Sequence, residues 1–166
     1  MQGKRIKESS ILLAQVMNPQ DANPAGNVHG GVIMKLIDTA AGSAAMKHSR
    51  SNCVTASIDR LDFHNPVFIG DLVTLRAGLN FTGKSSMEVG VRVESQNLLT
   101  GEIRHTVSAY MTFVALDKNG KPIVIPPLIL ETPEEQRRNR EAQARREARL
   151  REKTKEKACQ LVAENC

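Results

Sequence analysis

The chain contains no tryptophan, and aromatic residues make up only 3% of it, one Tyr and four Phe. A core made from this composition has to rely on Val, Leu, Ile, Ala and Met, and the apolar content of 40% is enough for one. Cysteine is scarce. Cys53, Cys159 and Cys166 show no C-x-x-C spacing, and two of them sit at the end of the sequence. That excludes a disulfide framework and a zinc ribbon, and it fits a reducing cytosol. The four histidines have no metal-ligand spacing with Asp or Glu. Long apolar runs are missing too. After Lys4, Arg5 and Lys7 there is only Ile11 to Ala14, too short for a signal-peptide core, and no stretch is long enough to span a membrane. A cytoplasmic protein without a membrane span is expected.

The net charge of +5 is unevenly spread. Between Glu134 and Lys157 there are ten Lys or Arg and six Glu, so +4 lies in the C-terminal tail. A basic helix can bind nucleic acid or anionic lipid. Here acids are interspersed, no aromatic is present to stack bases, and no broad apolar face is present to enter a membrane surface. Nucleic acid is therefore not the expected partner.

The most informative stretch is 23–49. Val32, Ile33, Leu36, Ile37, Ala40, Ala41, Ala44 and Ala45 recur at helical spacing, with no proline from Val28 to His48. With Val28, Met34 and Met46 the helix reads as apolar almost all round, and so as buried. It carries one carboxylate, Asp38. An ionised carboxylate taken out of water needs a partner, a raised pKa or a place beside a cleft. The preceding loop holds Asn23, Gly26, Asn27, Gly30 and Gly31, residues that tolerate unusual backbone angles. Its junction with the helix offers free N–H groups and the positive dipole end to an anion or a developing oxyanion. Such a helix start, with a carboxylate about two turns on, can serve acyl-bond hydrolysis. His29 at the helix start and His64 in the later turn read as structural or cleft residues.

The rest of the chain reads mostly as strands. Ile11 to Met17 precedes the loop. Cys53 to Phe63 switches its apolar set at Asp59-Arg60, the mark of a β-bulge. Three alternating strands come next. Their inner faces are Val73, Leu75, Ala77, Leu79 and Phe81; Met87, Val89, Val91 and Val93; and Val107, Ala109, Met111, Phe113 and Ala115. Glu88, Arg92 and Glu94 are expected outside. Tyr110, Val114 and Leu116 make the outer face partly apolar, as if another subunit covered it. Thr82 to Ser85 is a hairpin connection. Ile123 to Leu130, interrupted by Pro126 and Pro127, reads as an extended arm. Thr132-Pro133-Glu134-Glu135 is a capped helix start, and the residues beyond it make a charged, solvated helix. The expected fold class is α+β, an antiparallel sheet wrapped around one long helix. The expected divisions are a disordered N-terminus over 1–8, a domain over 9–125, and an arm with a charged helical tail over 126–166.

These residues, taken in order, resemble a known family. The matching set is Asn23-x-x-Gly26-Asn27-Val28-His29-Gly30-Gly31, Met34-Lys35-Leu36-x-Asp38, Ala41-Gly42, Val54-Thr55-Ala56-Ser57, Phe63-His64-x-Pro66-Val67, Gly70-Asp71, Lys84-Ser85-Ser86-Met87-Glu88-Val89 and Thr112-Phe113-Val114. It continues through Gly120-Lys121-Pro122, Pro126-Pro127-Leu128 and Glu131-Thr132-Pro133-Glu134. The chain resembles the hotdog-fold acyl-CoA thioesterases, in particular the cytosolic (brain-type) acyl-CoA hydrolases, in a single-hotdog form. The resemblance covers about residues 9–150.

It implies a hydrolase that releases free coenzyme A and a carboxylic acid. It implies a homo-oligomer, a dimer and by likeness a trimer of dimers, with each site shared so that Asn23 of one subunit faces Asp38 of the other. Asp38 would act as general base or nucleophile, with Gly30 and Gly31 holding the oxyanion. Asn65, Lys84, Ser85, Ser86, Arg137 and Arg138 would contact coenzyme A, which is substrate and product rather than cofactor. No metal or redox cofactor is expected. The rival readings are a hotdog dehydratase or hydratase acting on acyl-CoA, and a non-catalytic acyl-CoA- or nucleotide-binding hotdog protein. Turnover separates the second from the enzymes.

Overall fold

A computed structural model describes residues 1–163, with side chains described through 156. The elements are β1 (Lys4–Arg5), α1 (Ile6–Ser9), β2 (Ile11–Val16), α2 (Gly30–Ser49), β3 (Asn52–Phe63), β4 (Leu72–Thr82), β5 (Ser86–Gln96), β6 (Ile103–Leu116), β7 (Leu128–Ile129) and α3 (Pro133–Ala163). Five strands form one antiparallel sheet in the order β2-β4-β5-β6-β3, and β1 pairs in parallel with β7 beside it. The inner faces are as the alternation implies except at Phe81, which a register shift after Leu79 turns to the outer face, where Arg146 lies over its ring. Val73, Leu75 and Leu79 of β4, Val89 and Val93 of β5, and Val107, Met111 and Phe113 of β6 are buried. They close on Ile33, Ile37, Ala40, Ala41, Ala44 and Ala45 of α2. Each buried Val, Leu or Ile contributes about 1.5–3 kcal/mol. The small residues let the curved sheet approach the helix closely.

β3 carries the bulge expected at Asp59-Arg60, where its register with β6 shifts between Ile58 and Arg60. A second shift lies between Thr55 and Ser57. α2 ends with Arg50 in the left-handed conformation, its N–H bonded to the Met46 carbonyl. The α3 start is capped as expected: Glu135 N–H donates to Thr132 Oγ1 (3.2 Å), and Thr132 N–H donates to the Glu135 carboxylate (3.0 Å).

Four expectations need correction. The N-terminus is structured rather than disordered. Ser9 is buried and donates to His48 Nδ1 at 2.9 Å, and Lys4 Nζ donates to the His48 carbonyl at 2.6 Å. His48 in turn donates from Nε2 to the Pro126 carbonyl at 2.9 Å, so one imidazole ties α2 to both the N-terminal segment and the arm. Second, α2 is not buried all round. Met34, Lys35, Asp38, Thr39 and Met46 are exposed on one side, because the sheet curves around only the other.

Third, Glu88 points to the outer face as expected but is buried there rather than exposed. Asn80 donates to it at 3.0 Å and Arg145 from two nitrogens at 2.7 and 3.1 Å. Fourth, the charged C-terminal helix is not a solvated one: α3 packs on the outer face of the sheet at Tyr110. Ala142 of α3 is fully buried, Asn139 donates to the Asn80 carbonyl at 2.8 Å, and Arg145 lies 3.8 Å over the Tyr110 ring. Alternation cannot show a helix that returns from far along the chain. Of the cysteines, Cys53 is half-buried and free, while the side chains of Cys159 and Cys166 lie outside the described residues.

Candidate active site

The loop before α2 is built by Asn23. Its Oδ1 accepts from Ala25 N–H (2.9 Å) and Asn27 N–H (3.2 Å), and its own N–H donates to the Asn27 carbonyl (2.7 Å). Those bonds fix the carboxamide orientation and leave its NH2 as the group free to donate outward. Gly26, at φ 86°, supplies the left-handed residue this tight turn requires. The loop opens on a cleft of about 350 Å³ whose walls include Asn23, Gly30, Phe63, His64 and Asn65. Asn65 Nδ2 donates to the His105 carbonyl at 2.8 Å and so holds this wall.

The two glycines differ. His29 is the N-cap of α2, and its Nδ1 accepts Gly31 N–H at 2.9 Å. That gives His29 a structural role and takes up the Gly31 donor, whereas Gly30 faces the cleft.

Asp38 lies on the open side of α2. Its Oδ1 accepts from Thr55 Oγ1 at 2.7 Å, which orients the exposed carboxylate. Thr55 stands on β3 immediately before the first register shift. Sequence reasoning gave it no role, though it sits in the Val54-Thr55-Ala56-Ser57 match, and that match was the one signal available. Among the described residues no hydrogen bond joins Asn23 to Asp38.

The residues expected at coenzyme A fall in three places. Asn65 is in the cleft with Asn23. Lys84, Ser85 and Ser86 form the β4–β5 hairpin, where Lys84 is exposed and its carbonyl accepts from Ile125 N–H at 3.0 Å. Arg137 and Arg138 line a separate cavity of about 650 Å³ on the outer face, beneath α3. Both are engaged with acids. Arg137 and Arg138 donate to Glu134 at 2.6 and 3.0 Å, and those bonds hold its carboxyl at a pKa of about 2. Arg137 also donates to Glu141 at 2.5 Å.

The model of the thioesterase superfamily matches residues 25–102. The uncharacterized acyl-CoA thioester hydrolase YkhA of Bacillus subtilis is 41% identical over 129 residues, which is 78% of this chain and 75% of that one. The chain belongs to the acyl-CoA thioester hydrolases of the thioesterase superfamily. Against the rat cytosolic acyl coenzyme A thioester hydrolase it is 36% identical over 142 residues, 84% of this chain but 37% of that protein's length.

The solved structures agree with this family and with its hotdog fold. A hexameric acyl-CoA thioesterase superposes with a TM-score of 0.88 at 40% identity, over 92% of this chain and 97% of that one. An acyl-CoA hydrolase of Staphylococcus aureus, solved with butyryl coenzyme A and coenzyme A, gives 0.86 at 34% identity, over 94% and 95%. Variants of that hydrolase replace one asparagine, one aspartate or one threonine by alanine. Among the described residues of this thioesterase-family chain, no helix is long and apolar enough to cross a membrane.

Proposed function

We propose that the protein hydrolyses acyl-CoA to free coenzyme A and a carboxylic acid in the cytoplasm, at a site completed by a second copy of the chain. The observation that carries this reading is the Thr55–Asp38 hydrogen bond on the open face of α2. It holds an exposed carboxylate in one orientation on a side that its own sheet leaves bare. The three residues replaced in the Staphylococcus aureus variants have the same mutual spacing as Asn23, Asp38 and Thr55 here.

In this reading the Asn23 NH2 of one subunit and the Gly30 N–H polarise the thioester oxygen, and Asp38 of the other subunit acts at the carbonyl carbon. Asp38 Oδ2 either takes a proton from the attacking water or attacks directly and is released by water. In both routes the C–S bond breaks, coenzyme A leaves as thiolate and takes up a proton, and the acyl group leaves as carboxylate. A thioester has a good leaving group, so little acid assistance is needed. Coenzyme A would lie along Asn65 and the Lys84–Ser86 hairpin, its phosphates met by Lys84 or by Arg137 and Arg138. The assembly would be a dimer, and three dimers as a hexamer.

The test is thiol release from a panel of short to long acyl-CoAs by wild type, Asp38→Ala, Asn23→Ala and an equal mixture of the two variants. Each variant alone should be inactive, and the remixed oligomer should regain part of the activity. Failure to regain any would refute the shared site. Coenzyme A binding without thiol release from any substrate would support the non-catalytic binding protein instead. In one turnover in H2-18O, label in Asp38 marks direct attack with water entering at the Asp38 carbonyl, because the general-base route puts label only in the product carboxylate.

A further inference from the structure

Within this chain β3 is an edge strand of the sheet, and its pairing with β6 is irregular. Its register with β6 shifts at two points, Thr55/Ser57 and Ile58/Arg60. Between the shifts, Ser57 is paired with Thr112, and both hydroxyls are buried without a hydrogen-bond partner among the described residues. A buried polar group left unmatched opposes the arrangement that buries it. Each bulge also removes ladder bonds and lets the strand bend. Yet Thr55, at the start of this segment, must be placed closely enough to meet Asp38 at 2.7 Å.

Asp59, inside the second shift, is engaged from outside the sheet. Arg149 of α3 donates to its carboxylate across 90 residues of sequence, and the side chains are only 17% and 13% exposed. α3 is fixed before it reaches that point. Its anchors follow the sheet order: Asn139 on β4, Arg145 on Glu88 of β5 and over Tyr110 of β6, then Arg149 on β3. Tyr110 is itself the register partner of Arg60.

We infer that Arg149 and Asp59 are positioning residues: their ion pair fixes the bulged segment of β3 against α3 and so holds the Thr55 hydroxyl on Asp38. The charged C-terminal helix thereby belongs to the working of the site without touching substrate. This rests on the role proposed above for Asp38. It differs from simple stabilisation in one respect. A clamp that acts through Thr55 has nothing left to do once the Thr55 hydroxyl is removed.

The experiment measures kcat and KM for butyryl-CoA and palmitoyl-CoA hydrolysis by the full-length oligomer. The variants are Asp38→Ala, Thr55→Ala, Arg149→Met, Asp59→Asn, Arg149→Lys and Arg149→Met combined with Thr55→Ala. Arg149→Met and Asp59→Asn should each lower kcat about ten-fold, as small misplacements of catalytic groups do, with KM changed by less than about two-fold. Arg149→Lys should recover most of the loss. In the Thr55→Ala background, Arg149→Met should cause no further fall. If Arg149→Met does not assemble, Asp59→Asn, which keeps the shape, carries the same comparison. An unchanged kcat in Arg149→Met or Asp59→Asn, or losses that multiply with Thr55→Ala, overturns the inference while an inactive Asp38→Ala leaves the site reading in place. An active Asp38→Ala overturns both.

Discussion

The two long helices meet the same sheet from opposite sides and by different means. α2 is held by shape and apolar burial, with Ile33, Ile37 and four alanines against the concave face. Among its described side chains α3 has a single fully buried alanine, Ala142, and is held by polar anchors. Arg145 is the main one. Burial works against its charge, but the hydrogen bonds to Glu88 and the nearby acids outweigh that and raise its pKa further. A charged helix, then, need not be a solvated one. Arginine combines a long apolar stem with a planar head that can stack on Tyr110 and fork onto a carboxylate. By apolar spacing alone, α3 has no buried face.

The contrast is tested most severely on the open side of α2. Asp38→Ala should lower kcat on the order of 10²- to 10⁴-fold while leaving the melting midpoint close to wild type, because the residue supports function and not the core. Thiol release and a thermal melt measure the two halves of that statement. On the outer face, Arg145→Met leaves Glu88 buried and uncompensated, and should cost about 3–5 kcal/mol in urea unfolding. Replacing both partners by methionine should recover most of that loss. If Arg145→Met alone is neutral, α3 is not held as described. On the inner face, Ile37→Ala should cost about 2–5 kcal/mol by the same measurement, through the cavity it leaves.

The seam where the N-terminal segment and the arm meet α2 responds to pH. Burial pushes the His48 pKa below its ordinary 6.5, and Lys4 adds to this against the opposing bond to Pro126. The unfolded chain then binds more protons than the folded one below about pH 6.5. Stability contributed by neutral His48 is full above that pH and is lost as pH falls toward the lowered folded value. Melting midpoints from pH 8 to 5.5 should therefore fall more steeply for wild type than for His48→Asn. The smallest effect is expected at Arg137. The side chain is exposed and its partners Glu134 and Glu141 lie on the same helix, so Arg137→Ala should leave the melting midpoint unchanged.

Much of the fold was legible because it rests on periodicity. The three strand faces led by Val73, Met87 and Val107, the α2 stripe, the Asp59 bulge and the Thr132 cap each leave a local pattern. Glu88 was misread because its position in the alternation points outward, and nothing near it in sequence announces Arg145. Asn23 and Asp38 were legible as a pattern. Thr55 as the residue that orients Asp38 was not, since the pairing spans a helix and a strand. The N-terminus was misread for a similar reason. Its polar composition hides Lys4, whose partner, the His48 carbonyl, lies at the far end of α2.

The amino-acid sequence alone was enough for the two long helices, the five strands of the main sheet, most of their inner faces, and the family whose motifs they spell. Backbone period and side-chain polarity are local properties, and each chain segment carries its own. Tertiary structure was needed to show that the charged tail covers the outer face, that Glu88 and Asp59 are the carboxylates it grips, and that Asp38 stands on an open side oriented by Thr55. Those outcomes depend on groups brought together from distant parts of the chain, where the cost of burying one charge is met only by the position of another.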